Sequence, residues 1–366
     1  MERTKKIVIA TPIYPPTPGG PATHAKRYVD YFLKNNIDAP VLSYGAMNDS
    51  QTVSLAIPFG FRHMRYVHRL YAISKNAQAI LALDALGVGL PALIVSKIRR
   101  IPLLLRVGGD ILWERSVSGG ESTSMGIWYR RDKSRNIVFL LVRMVMRMSA
   151  LIVVPSDMLK DLYVSSYGIS EEKIIVLPNP LPQHTEVVPI ETGFRDIVYA
   201  SRFVAYKNLL RLIEAFEIVA TDEYDARLVL FGQGEQLDVL RQKRENIFRQ
   251  DIRNRVLIIE HAPAKERLGI MAGASLCVAP ALTEFYPNYV MECLSFGVPF
   301  VISREHGLPF KVIEEAQFNP LSVDDMARAI ARGLNAKDSM ITEFSHIPDW
   351  DSYCRAIELL INDFKK

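Results

Sequence analysis

Two doubly wound parallel α/β domains joined by a linker are the fold this sequence predicts, on three observations. Short, almost wholly apolar runs of strand length recur from one end to the other. Stretches of helical length separate them. The stretch PNPLPQHTEVVPIETG, residues 178–193, is rich in proline, lacks periodicity and interrupts the alternation once, near the middle. Strands this apolar are buried on both faces, which requires a parallel sheet covered by helices.

In chain order, the first half offers strands at KIVIATP, APVLSYG, AILALDA, PLLLRVGG, LIVVPS and KIIVLPN. Helices such as THAKRYVDYFLKNN and LPALIVSKIRR lie between them. After the linker come IVYASR, the helix NLLRLIEAFEIVA, RLVLFGQG, the helix EQLDVLRQKRENI, VLIIEH, the helix KERLGIMAGA, SLCVAP and PFVIS. The expected domains are 1–182 and 183–345. A last helix in 346–366 follows a break at HIPDW and is a candidate to cross back onto the first half. Ligands of such sheets bind beyond the carboxyl ends of the strands, so a cleft between the halves is the expected site.

The totals narrow the class. A chain of 366 residues is long for one core, and 49% apolar with 23% charged residues excludes low-complexity disorder. Cys277, Cys293 and Cys354 show no CxxC spacing and read as reduced core residues of a cytosolic protein. The seven histidines form no zinc pattern. The apolar run at the N-terminus is shorter than a signal peptide needs. The one stretch long enough to suggest a membrane span, 137–154, carries Arg143 and Arg147, each costing roughly 2.5–3.5 kcal/mol at a bilayer centre. Ile137, Leu140, Leu141, Met144, Val145 and Met148 fall at helical spacing with the arginines opposite, which describes an amphipathic helix leading into a buried strand. The net charge of +4 divides into +10 over residues 1–183 and −6 over 184–366. Either the basic half meets something anionic or its charge is ordinary solvated surface.

Four loops carry candidate chemistry. TPIYPPTPGGPATHAKR follows the first strand; Gly19 and Gly20 let backbone approach a ligand, and Thr23 is a candidate helix cap. It lacks the GxGxxG of a dinucleotide site. In SRFVAYKNLLRL, Arg202 and Lys207 flank a strand-to-helix loop that Asn208 can cap, a setting for a diphosphate or simply two surface cations. LFGQGEQ places Gly232 and Gly234 between a strand and a helix. In TEFYPNYVMECLSFGVP, Pro287 suits the first turn of a helix and Gly297 its end. Glu284 then precedes that helix and Glu292 lies inside it, two acceptors at different depths with no cation near them in sequence.

These residues resemble glycosyltransferase family 4, the retaining nucleotide-sugar enzymes of GT-B architecture. The resemblance runs from the YPPTPGG loop through YGISEEKIIVLPNP, Arg202, Lys207, Gly232, Gly234 and the Glu-x7-Glu pair to FGVPFVIS and HGLP. It implies two Rossmann-like domains facing across a cleft, the first for the acceptor and the second for the donor. It further implies that Arg202 and Lys207 hold the donor diphosphate, Glu292 the ribose hydroxyls and Glu284 the donor sugar. The Gly19–Gly20 loop would close on donor or acceptor, and Gly232, Gly234, Asn288 and Tyr289 would border the donor. No metal and no cofactor beyond the nucleoside-diphosphate sugar are expected, two cations and a helix end serving instead. Front-face attack would let the leaving phosphate take the acceptor proton.

The sequence departs from the family pattern in three places. Phe285 and Pro287 stand where glycines usually follow the first glutamate. Gly109 and Asp110 stand where a histidine is common, so that Asp110 either anchors sugar or acceptor or caps the next helix. Ser201 replaces a glycine before the arginine. The acceptor would be a saccharide or a lipid-linked sugar, in polysaccharide or glycolipid synthesis. Residues 61–75 and YRRDKSR, 129–135, are candidate contacts to an anionic membrane face in the cytoplasm. No nucleic-acid partner is expected. Two rival readings stand beside transfer: a silent nucleotide-sugar-binding protein of the same fold, and a nucleotide-sugar epimerase or hydrolase.

Overall fold

A computed structural model describes residues 5–46, 51–131, 136–181, 187–336, 341–343 and 347–364. The chain forms two compact units. The first comprises Met1–Gly109, Asp132–Pro180 and Pro348–Lys366; the second comprises Asp110–Arg131 and Leu181–Ile347.

The first unit holds a seven-stranded parallel sheet in the order β3-β2-β1-β4-β5-β6-β7. Its strands are β1 (Ile7–Ala10), β2 (Val41–Gly45), β3 (Thr52–Ser54), β4 (Ala79–Ala82), β5 (Leu103–Arg106), β6 (Leu151–Val154) and β7 (Ile174–Val176). The central strands are buried at every residue, as an apolar run covered on both faces must be. β3, three residues at the sheet edge, is too short and too polar to show a pattern in the sequence. The last helix, Trp350–Asp363, belongs to this unit and packs on the first helix, Gly20–Lys34. Tyr353 stacks on Tyr28 at 6.1 Å, Trp350 meets His24 edge-on, and the Asp349 carboxylate caps the helix at Ser352.

The second unit repeats the pattern with β8 (Arg195–Ala200), β9 (Ala226–Phe231), β10 (Val256–Ile259), β11 (Leu276–Ala279) and β12 (Phe300–Ser303). The short β13 (Lys311–Val312) lies outside this sheet, and β14 (Gln317–Phe318) closes its far edge. The order β10-β9-β8-β11-β12-β14 reverses beside β8, the point at which doubly wound sheets bind ligands.

Three local expectations need correction. Gly19, at φ 147°, is the cap residue of the first helix, and Thr23 lies inside it, donating to the Gly19 carbonyl at 3.3 Å. The helix Ile137–Met148 buries Phe139, Val142, Val145 and Met146, while Ile137 (71% exposed), Leu140, Met144 and Met148 face solvent. Spacing shows that a stripe exists; in a helix apolar on two faces it does not show which stripe the core covers. Finally, the chain leaves the first unit after Gly109, so Asp110 and the helix Ile111–Ser118 are part of the second.

Candidate functional site

The site assembles in the second unit from three loops and one helix. After β8 the chain turns through Ser201–Val204 into a single turn, Ala205–Lys207, and then enters the helix Leu209–Asp222. Asn208 sits at φ 62° between them. It does not cap that helix through its side chain; its amide instead donates to the carbonyls of Pro280 and Pro320 at 3.0 and 2.8 Å. That tie fixes Lys207 against the loop after β11. A second tie, from the Leu282 amide to the Tyr206 carbonyl at 2.9 Å, does the same.

Lys207 and Glu284 form an ion pair in this position, 5% and 8% exposed. The sequence shows no cation near Glu284 because its partner lies 77 residues away. The Glu284 backbone is held from the other side: its amide donates to Glu305 and its carbonyl accepts from Gly307, each at 2.8 Å. His306, at the bridge to Glu284, is pushed down to about 4 by burial and is neutral at ordinary pH. Arg202 is exposed and donates to the Tyr206 hydroxyl at 3.0 Å. The Lys207 ammonium lies 5.2 Å from the centre of the Tyr206 ring.

Gly232 and Gly234 have a defined steric purpose. Both lie at positive φ, 158° and 153°. A β-carbon on Gly232 would meet the Ser201 carbonyl at 2.0 Å, and one on Gly234 the Phe203 carbonyl at 2.3 Å. The missing side chains let this loop bond the Arg202 loop, from Phe203 to Gln233 at 2.7 Å and from Gln236 to Phe203 at 3.0 Å.

The helix Asn288–Ser295 follows Pro287, and Gly297 at φ 75° ends it. Val298 bonds back to Cys293 and Gly297 to Leu294, the double closure of a left-handed helix end. Glu292 on this helix pairs with Arg267 at 3.3 Å, so each member of the Glu-x7-Glu pair meets a cation from elsewhere in the chain. Asn288 is exposed at the helix start. Tyr289 is turned inward: its hydroxyl donates to the Val278 carbonyl at 2.8 Å, which removes its side chain from the donor-facing set. Gly19 and Gly20 belong to the first unit, at the head of its first helix.

The bulky residues after Glu284 have a physical reason. Trp113, fully buried, packs against Tyr206 at 5.6 Å and edge-on against Phe285 at 6.4 Å. The Met125 amide donates to the Thr283 hydroxyl at 3.1 Å. A glycine at 285 would release one wall of the indole, and truncating a buried phenylalanine costs about 3–5 kcal/mol. Phe285 therefore anchors residues 110–131 beside Lys207. Asp110 proves to be the cap, at 2% exposure: its Oδ1 accepts from the Trp113 amide and the Tyr129 hydroxyl, both at 2.8 Å. A carboxylate so engaged positions the helix, which is the second of the two roles its sequence context left open, rather than the catalytic one that the resemblance suggested for it.

Glu114, one residue past the indole, is the group that sequence reading missed. Burial pushes its carboxyl up to about 7; Arg202 and Lys207 oppose the shift, and Asp110 and Glu284 add to it. The spacing Asp110-x3-Glu114 was visible in RVGGDILWE, but a neighbourhood with Arg202 and Lys207, some 90 residues on, was not.

Residues 182–343 match the family model described as glycosyl transferases group 1. Over 207 residues the chain is 24% identical to the alpha-monoglucosyldiacylglycerol synthase of Streptococcus pneumoniae, covering 52% of this chain and 45% of that protein. The chain spans less than half the length of the first curated relatives it matches. Among solved structures, the sucrose-phosphate synthase of Thermosynechococcus elongatus superposes with TM-score 0.70 at 15% identity, covering 98% of this chain and 99% of that one. The Anabaena HepE protein, in complex with UDP-glucose, superposes with TM-score 0.66 at 14% identity, covering 98% and 99%. Two parallel-sheet α/β units with these counterparts define the GT-B architecture. The match to the glycosyl transferases group 1 model is confined to residues 182–343, and the likeness to solved structures is one of fold.

Proposed function

We propose that this protein is a retaining glycosyltransferase that moves a hexose from a nucleoside-diphosphate sugar to a saccharide or lipid-linked acceptor without a metal. The observation that carries the reading is the buried Lys207–Glu284 pair with Arg202 beside it, inside the group 1 domain. When the anomeric bond breaks, negative charge grows on the departing diphosphate and positive charge on the anomeric carbon. A fixed ammonium meets the first and a fixed carboxylate the second, and neither must be desolvated during the reaction. Arg202 adds a second cation for the diphosphate. Glu292, held by Arg267, binds the ribose hydroxyls. The UDP-glucose complex of the HepE protein favours a nucleotide sugar as donor. An intact charge pair favours catalysis over a silent binding protein.

The acceptor reading draws on the first unit. The helix Phe59–Ile73 has no acidic residue, and a groove of about 500 Å³ beside it is lined by Ile57, Phe61, Met64, Arg65, His68 and Arg69. The exposed stripe of Ile137–Met148 adds a second apolar face. No helix among the described residues is long and apolar enough to cross a membrane. Basic and apolar surfaces of this kind bind anionic lipid from one side, which suits a peripheral enzyme of the cytoplasmic face and a lipid-linked acceptor. Of the two stretches expected to make that contact, residues 132–135 lie outside the described residues.

A thermal-shift panel of UDP, ADP, GDP and their hexose derivatives tests the donor reading. The matching nucleotide raises the melting temperature of the wild type, and Glu292→Ala abolishes the rise. Failure of every nucleotide to shift the wild type would sink it.

A further inference from the structure

We propose that the first unit binds a phosphate group on the guanidinium of Arg106, at the carboxyl ends of β5 and β7. Arg106 is the last residue of β5 and is 6% exposed. A buried guanidinium is ordinarily paired with a carboxylate or ringed by acceptors. Arg255 in the second unit shows the ordinary case. At 9% exposure its Nε, Nη1 and Nη2 all donate to backbone carbonyls, those of Asp251, Ala226 and Ala220 among them. Arg106 bonds through Nη2 alone, to the Asn179 side-chain carbonyl at 2.5 Å. Among the described residues no carboxylate pairs with Arg106, and no acceptor takes its Nε or Nη1. Neither nitrogen is sealed from solvent, so both stay available to a ligand.

The opening lies at Gly108, an exposed glycine in the loop after β5. A β-carbon built there would stand 2.7 Å from Arg106 Nη1, so any side chain would cover the free edge of the guanidinium. The Gly108 and Gly109 amides make no hydrogen bond to the protein among the described residues. His24, 4% exposed, adds an independent sign: its Nδ1 is buried and has no partner among the described residues. Burial, with Arg106 adding to it, holds that imidazole well below its ordinary pKa and hence uncharged. The positive charge of Arg106 is therefore left unbalanced beside unused donors. An open guanidinium edge takes a fork of two oxygens, which carboxylate and phosphate both offer. The two backbone amides add donors for a third oxygen, which a phosphate has and a carboxylate lacks. The carboxyl ends of the strands are also where doubly wound sheets bind ligands. A phosphorylated acceptor supplies such a group, a source that rests on the transferase reading above; inorganic phosphate offers the same chemistry without it.

The test is calorimetric titration of the full chain with inorganic phosphate, glucose 1-phosphate and glucuronate at constant ionic strength. The wild type binds glucose 1-phosphate, and Arg106→Gln abolishes the binding. Gly108→Ala weakens it by about 10–100-fold, the loss of one charge-assisted hydrogen bond. Gly108→Ala decides the matter if Arg106→Gln fails to fold, because the added carbon meets only the tip of a flexible side chain, at a backbone angle that alanine accepts. Tighter binding of glucose 1-phosphate than of inorganic phosphate assigns the site to a phosphorylated saccharide, and equal affinity assigns it to the free ion. Glucuronate binding as tightly as glucose 1-phosphate overturns the choice of phosphate. Binding that survives Gly108→Ala and is lost in Arg202→Ala puts the phosphate in the second unit and overturns the site, as does a wild type that binds no phosphate compound. The nucleotide panel above is scored separately. Nucleotide binding without phosphate binding at Arg106 sinks this proposal and leaves the transferase reading standing; the converse keeps the site and removes the reading.

Discussion

The two units wind parallel sheets on one plan, yet they treat charge in opposite ways. In the first, the buried Arg106 is bonded to the neutral Asn179, and His24 is kept uncharged by burial among Tyr28, Trp350 and Tyr353. Its ionic groups stand mostly outside, among exposed apolar side chains. In the second, opposite charges are carried inward: Lys207 with Glu284, and Arg227 with Asp196 at 2.7 Å. A buried pair is no economical way to hold a fold together, because desolvation offsets much of its attraction. Arg227–Asp196 sits at the amino end of β8 and β9, whereas Lys207–Glu284 sits beyond the carboxyl ends, where the fold binds ligands. Location, more than pairing itself, is what the proposed catalytic role of the second pair rests on.

The largest expected effect breaks that pair. Lys207→Ala leaves Glu284 buried without its cation, which costs about 3–5 kcal/mol of stability. Donor turnover falls by about 10²–10³-fold as well. The double variant Lys207→Met/Glu284→Leu separates the two losses: stability recovers in urea titration, while turnover does not. Recovery of turnover in the double variant would show that the pair is structural, like Arg227–Asp196.

How much of this was legible in the sequence follows from the range over which each feature is determined. The alternation of strands and helices, the glycines of LFGQG and the limits of the Glu-x7-Glu helix depend on neighbours within a few residues, and they read directly. Partners did not. Glu284 and Glu292 seemed to lack cations because Lys207 and Arg267 come from other elements. Phe285 and Asp110 looked like departures from a family pattern. Their roles, one packing Trp113 and one capping its helix, depend on residues 110–131 joining the second unit. Glu114 stayed hidden for the same reason. In Ile137–Met148 the periodicity was real, but two apolar faces compete and only tertiary packing decides between them.

The glycine loops give a middle-sized contrast between the units. Gly234→Ala drives a β-carbon into the Phe203 carbonyl at positive φ, which costs about 1–3 kcal/mol. Gly20→Ala in the first unit meets nothing within 4 Å, in a helix start that alanine adopts readily. It stabilises by about 0.4–1 kcal/mol through the unfolded chain. Chemical denaturation of the two variants therefore gives opposite signs. A loss at Gly20 as large as that at Gly234 would mean that the first loop is as tightly packed as the second.

The smallest effect on stability falls on the surface of the first unit, where partly exposed apolar groups have little packing to lose. Leu140→Ser, Met144→Ser and Met148→Ser all change side chains that face solvent, so each shifts stability by no more than about 0.5 kcal/mol. Their consequence lies in association. Apolar side chains on a basic unit contribute burial at a lipid interface, while Arg65 and Arg69 beside the groove contribute attraction to anionic headgroups. Wild-type protein sediments with vesicles containing phosphatidylserine and is released by salt, and the triple variant sediments less at every salt concentration. Neutral vesicles hold neither. If the wild type fails to sediment, or the triple variant sediments as well as it does, the exposed stripe has no part in a membrane contact.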